Sequence, residues 1–78
     1  MSDFALEMAD LVSLWLGRRR VVPGSRLVED LDAKSIDIVN IVAVLEETYE
    51  VSIDEERLAL LVTVQDLADE VDRLARPG

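Results

Sequence analysis

The chain contains neither cysteine nor histidine. Disulfide staples, thiolate nucleophiles, the common zinc sites and the most frequent general base are therefore excluded. Glycine is sparse, with three in the chain, and no glycine-rich run could cradle a phosphate. Positive charge is scarce as well: 8 Lys and Arg stand against 17 Asp and Glu, a net charge of −9. Phosphate backbones demand cations, so no nucleic-acid partner is expected. Apolar runs such as residues 58–62 fall far short of the roughly 20 residues needed to span a bilayer, and no membrane partner is expected. The opening residues show no basic region followed by an apolar stretch. A secretory leader is thus not expected, and a cytoplasmic location is.

What is present suits a small folded body. The 78 residues are 50% hydrophobic and 32% charged. That length predicts a single domain over residues 1–78 with little core to spare. The acids are unevenly placed. Residues 29–56 hold ten of them against one base, Lys34, which accounts for the whole net charge. Such a segment either keeps a helical surface solvated or steers basic partners toward itself.

Hydrophobic periodicity places the elements. Phe4, Met8, Leu11, Val12 and Trp15 share one helical face, with Ser2 and Asp3 suited to its start and Gly17 to its end. Trp15 and Phe4 are expected in the core. The run Arg18, Arg19 and Arg20 suits a helix C-terminus or a contact with the chain's own acidic segment, whereas three arginines in so acidic a protein make a poor nucleic-acid patch. Residues 21–34 read as a long loop, with Leu27, Val28 and Leu31 available to tie it down. Ile38, Ile41, Val42, Leu45 and Tyr49 form the next stripe, with Ser35 at its entrance. Ile36, Ala43, Glu47 and Glu50 project the other way. Residues 55–61 read as a short helix. Thr63 is a good N-cap for a last helix, with Asp66 three residues on. Val64, Leu67, Ala68, Val71 and Leu74 give that helix its stripe, Arg73 and Arg76 its final turn, and Pro77 and Gly78 its end. Helices with single stripes must share a core. The expected fold is all-α, a small four-helix bundle of three longer helices and one short helix, with a long first loop.

No catalytic constellation emerges, and the protein is not expected to be an enzyme. Lys34 and Ser35 are adjacent, so on a helix they point about 100° apart, whereas a Ser–Lys dyad needs a spacing of three or four. The acids Asp54, Glu55 and Glu56 lack the alternating oxygen ligands and the glycine of a calcium loop, and no metal is expected. On its surroundings alone, Ser35 is a helix N-cap.

The run Leu31-Asp32-Ala33-Lys34-Ser35-Ile36-Asp37 resembles the acyl carrier protein family, in which a Leu-Gly-Ala/Gly-Asp-Ser-Leu segment opens the second helix. The likeness extends over Val28-Glu29-Asp30-Leu31, Leu45-Glu46-Glu47-Thr48-Tyr49, Val51-Ser52-Ile53, Asp54-Glu55-Glu56 and Thr63-Val64-Gln65-Asp66. It implies a carrier of acyl intermediates, held as thioesters on a covalent 4′-phosphopantetheine arm at Ser35, for fatty-acid, polyketide or related biosynthesis. It further implies partner recognition by Lys34, Ile36, Asp37, Ala43, Glu46, Glu47, Glu55 and Glu56. The partners would be a phosphopantetheinyl transferase and acyl-transferring and condensing enzymes with basic docking patches, met by a monomeric carrier. Three positions depart from the pattern: Lys34 replaces the usual Asp, Asp32 the usual Gly, and Ile36 the usual Leu. The charge reversal at Lys34 points to a specialised carrier with dedicated partners. The alternatives are an aminoacyl or peptidyl carrier, the D-alanyl kind included, using the same serine, and an acidic helical interaction module that is never modified.

Overall fold

A computed structural model of the chain describes residues 4–75. Among them four helices occur: α1 (Phe4–Leu16), α2 (Ser35–Tyr49), α3 (Glu55–Leu58) and α4 (Val64–Ala75). No strand forms among the described residues, and one isolated antiparallel bridge joins Arg26 to Thr63. The all-α bundle expected from the periodicity is the architecture found. Ser2, Asp3, Arg76, Pro77 and Gly78, read above as end signals, lie outside the described residues.

Each helix end has a local cause. α1 stops where Gly17 turns left-handed at φ +64°, a conformation without penalty for a residue lacking Cβ. The Arg18 N–H then donates back to the Ser13 carbonyl at 3.1 Å, closing the turn. α2 ends in the same kind of turn, with the Val51 N–H on the Glu46 carbonyl at 3.1 Å. There the left-handed residue is Glu50, at φ 54°, which carries a steric cost that glycine would not. α4 opens with a reciprocal capping box. The Asp66 N–H donates to the Thr63 hydroxyl at 3.1 Å, and the Asp66 carboxylate accepts the Thr63 N–H at 3.0 Å.

α3 is shorter than the sequence pattern suggests. It ends at Leu58 instead of running to Leu61. The chain leaves the helix because residues 62–65 pair with the first loop. Leu27 N–H donates to the Val62 carbonyl at 2.8 Å, Val64 N–H to Ser25 at 3.0 Å, and Gln65 N–H to Pro23 at 2.8 Å. These bonds satisfy backbone groups that a long connection would otherwise leave unpaired.

The helical stripes meet in one hydrophobic cluster. Met8 and Val12 of α1, Ile41, Val42 and Leu45 of α2, and Val64, Leu67, Ala68 and Val71 of α4 are buried, and Ala9 joins them where Leu11 is only half-buried. Each buried Leu or Val contributes about 1.5–3 kcal/mol. Leu27, Leu31 and Ala33 plug the loop into this core. Val28 does not help to tie it down, because it stays 59% exposed. α1 packs chiefly on α4. Trp15 and Phe4 pack on the edge of the core half-buried, with the Phe4 ring edge-on to Tyr49 at 5.3 Å.

Candidate functional site

The start of α2 is built by the loop that precedes it. Ala33 is buried, and its N–H donates to the Leu27 carbonyl at 2.9 Å. Lys34 is thereby carried outward in an extended conformation (φ −94°, ψ 167°), and its carbonyl accepts the first helical bond from Ile38 at 3.0 Å. Lys34, not Ser35, is therefore the N-cap; Ser35 is the first helical residue. This corrects the reading of Ser35 as a cap. A lysine ammonium can only donate, so it cannot serve the orphan N–H groups of the first turn. The reverse half of a capping box is present: the Asp37 carboxylate accepts the Lys34 N–H at 3.0 Å. The Ser35 hydroxyl is left exposed, and no hydrogen bond to a described residue holds it.

Asp32, three residues before Ser35, sits at φ 55°. The glycine usual at this place in the family pattern thus has a conformational reason. Asp is among the few side chains that tolerate the left-handed region. The Arg18 guanidinium lies 3.7 Å from the Asp32 carboxylate, so the arginine run does reach the acidic segment.

The outer face of α2 is more apolar than its charge suggests. Ile36 is 62% exposed and Val39 52%, and Ala43 and Val44 continue the ridge. Val39, Asn40 and Val44 were not picked out by sequence reasoning. The signal was a second stripe at residues 36, 39, 43 and 44, masked by the stronger core stripe. The acids differ among themselves. Glu47, Glu55 and Glu56 are exposed. Glu46 is half-buried, and its Oε2 accepts the Ile53 N–H at 2.8 Å. Asp37 is also half-buried, on its Lys34 contact.

One turn beyond Ser35 on α2, Ile38 enters the wall of an open groove of about 340 Å³. Val28 of the loop and Leu58, Leu61 and Val62 complete its apolar lining, with Arg26 and Glu29 at the loop side. A second groove of about 210 Å³ lies between Trp15 of α1 and Asn40 and Val44 of α2.

The strongest electrostatic feature lines a separate concavity, which shares Leu61 with the first groove. Glu70 of α4 is 3% exposed at its side chain and is gripped from two sides. Arg57 donates to it through Nη2 at 2.8 Å and Nε at 3.2 Å. Arg73 does so through Nη2 at 2.8 Å. The Arg57 hydrogen bonds, then those of Arg73, pull the Glu70 carboxyl from an ordinary 4.5 down to about 2, against the opposing effect of burial. Sequence reasoning missed this cluster. Arg73 at i+3 was a weak hint, but Arg57, thirteen residues earlier, is brought in only by the fold. In the loop, Arg26 likewise lowers the Asp30 carboxyl, chiefly through its backbone N–H at 2.8 Å.

A family model described as a phosphopantetheine attachment site matches residues 7–71. The chain belongs to the acyl carrier protein family. It is 38% identical over 52 residues to an acyl carrier protein of Campylobacter concisus, covering 67% of this chain and 68% of the relative. It is 33% identical over 66 residues to one of Syntrophobacter fumaroxidans, covering 82% of each. It is 43% identical over 47 residues to one of Helicobacter hepaticus, covering 60% of this chain and 62% of the relative. The prosthetic group of the matched domain is 4′-phosphopantetheine, as the sequence led us to expect. The residues present fit such an arm. An accessible hydroxyl stands on the first turn of a 15-residue helix, where free N–H groups and the helix dipole favour a phosphodiester, and Lys34 adds a cation beside it. No described helix is long and apolar enough to cross a membrane.

Proposed function

We propose that Ser35 bears the phosphopantetheine arm of this carrier and that its cargo is an acyl group passed among biosynthetic enzymes. The observation that carries this is the exposed Ser35 hydroxyl, unengaged at the first residue of α2 and one turn from an apolar groove. When bound, the arm supplies a terminal thiol that holds acyl groups as thioesters. In the attachment step the Ser35 Oγ forms a P–O bond to the pantetheine-side phosphate of coenzyme A. The pyrophosphate P–O bond breaks, adenosine bisphosphate leaves, and the hydroxyl proton passes to the transferase. Lys34 would lie beside the resulting anion. The groove lined by Val28, Ile38, Leu58, Leu61 and Val62 would shelter an aliphatic chain from water, which favours acyl over aminoacyl cargo.

Partner enzymes dock on the outer face of α2 in this reading. The ridge of Ile36, Val39, Ala43 and Val44 supplies apolar contact, while Asp37, Glu46, Glu47, Glu55 and Glu56 supply the field that draws basic patches in. Acidic steering raises the encounter rate without tight contact, as a monomeric shuttle between enzymes requires. Lys34 puts a positive charge where most family members hold a negative one, and so selects a transferase and partner set of its own, such as those of a polyketide or related pathway.

Intact mass after incubation with a phosphopantetheinyl transferase and coenzyme A tests the assignment. The protein is expected to gain one phosphopantetheine, and Ser35→Ala none. No gain with any of several transferases would favour an unmodified module, and a gain on Ser35→Ala would move the site elsewhere. Lys34→Asp is expected to change the transferase rate; an unchanged rate removes the case for dedicated partners.

A further inference from the structure

Residues 54–61 form a strap held at its two ends. At one end the Ile53 N–H is bound to Glu46 Oε2 at 2.8 Å. At the other, the Val62 carbonyl accepts the Leu27 N–H at 2.8 Å. Between these anchors only Leu61 is buried in the core, with Leu58 packed on its edge. α3 has four residues and none of them is buried, and so short a helix has no stability of its own. The strap separates two concavities. Leu58, Ala59, Leu61 and Val62 line the cargo groove. On the far side, Arg57 and Leu60 meet Asp66, Asp69, Glu70 and Arg73 of α4. Two polar ties cross that far side: the forked bond from Arg57 to the buried Glu70, and, at the strap's end, the Val62 N–H on Asp66 Oδ2 at 2.9 Å.

We propose that Arg57 is a latch, and that its bond to Glu70 fixes the strap against α4 and thereby sets how long an acyl chain the groove accepts. The cargo part rests on the function proposed above; the latch itself does not. The double grip on Glu70 is what makes release feasible. A buried carboxylate stripped of its only cation is strongly destabilising. Here Arg73 remains on Glu70 at 2.8 Å when Arg57 lets go. Arg57 is already 43% exposed, so water solvates it on release. The open state therefore loses one charge-assisted pair and leaves no bare charge. Such an arrangement has two accessible positions, and a growing chain pressing on Leu58 can shift the balance between them. Arg57 is not among the residues lining the groove and acts through the strap, as a positioning residue.

The test compares Arg57→Gln with Arg73→Gln in the full chain. Both remove one cation from Glu70, but only the first frees the strap. By amide hydrogen exchange of the unmodified protein, Arg57→Gln is expected to speed residues 55–62 about tenfold, the effect of losing one forked charge-assisted contact, with α1 unchanged. Arg73→Gln is expected to change them less than about threefold, and Arg57→Lys, with a single-point donor, to fall between. Equal acceleration by the two Gln variants would overturn the latch. In loaded protein, hydroxylamine cleavage of thioesters is read across a series of chain lengths. Protection is expected to stop growing at a longer chain in Arg57→Gln than in the parent. An unchanged limit would refute the cargo claim. Because exchange needs no arm, a protein that cannot be loaded refutes the carrier reading while the exchange result still decides the latch.

Discussion

Replacing Glu70 with glutamine should weaken the fold by an amount that depends on pH in a specified direction. The carboxyl is held at about 2 in the folded state, against 4.5 ordinarily. A group depressed in this way stabilises the fold fully above its unfolded value, and the contribution is lost as pH falls through the folded value. The window therefore runs from about pH 4.5 down to about 2. A difference of that size corresponds at most to about 3 kcal/mol. The two guanidiniums are 43% and 56% exposed, so solvent screens part of it. About 1–2 kcal/mol is the expected loss in Glu70→Gln near neutral pH, which for a chain of this size lowers Tm by roughly 5–15 °C. Glutamine keeps the shape and removes the charge, so no cavity is introduced. The assay is thermal melting by circular dichroism at fixed ionic strength from pH 7 to pH 2, on the parent and the variant together. The other carboxylates, Asp30 with its lowered value among them, are common to both proteins and cancel in the difference. The gap in Tm should be constant above pH 5 and close toward pH 2. A gap that is absent at pH 7, or that stays the same at pH 2, would refute the ionic grip as the source of stability.

Thr63→Ala removes one half of the capping box on α4 and should cost about 1 kcal/mol, seen as a lower urea midpoint with an unchanged slope. Glu50→Gly relieves the left-handed strain at the end of α2; the gain of about 1–2 kcal/mol, offset by the entropy of glycine, should leave a net stabilisation of about 0.5–1 kcal/mol. A lower midpoint would show that φ 54° at Glu50 carries no strain. Raising the salt concentration to about 0.15 M shortens the screening length to about 8 Å and should raise Tm, because the −9 charge repels itself within a small body. A Tm indifferent to salt or divalent cations would contradict this.

The helical elements were legible because their information is local. A stripe such as Met8 with Val12, or Leu67 with Val71, declares its buried face through the 3.6-residue period alone. Thr63 with Asp66 announced its cap through spacing and hydroxyl chemistry. The motif around Ser35 marked the candidate attachment point through its resemblance to the family pattern, which is also local. The errors fall where distant segments meet. Nothing in residues 55–61 shows that Val62 must turn out to pair with Leu27, so α3 looked longer than it is. Nothing near Ser35 shows that buried Ala33 pushes Lys34 into the cap position.

Local pattern alone thus determined the number of helices, the faces they bury, the acidic segment and the family motif, since each depends on side chains within a turn or two. Tertiary packing decided the rest: that Ser35 is left unengaged, that Glu46 is spent on Ile53, that a second apolar ridge stays uncovered on α2, and that Glu70 is gripped by two arginines. Those outcomes depend on burial and on charges meeting across long sequence separations, which no one-dimensional period encodes.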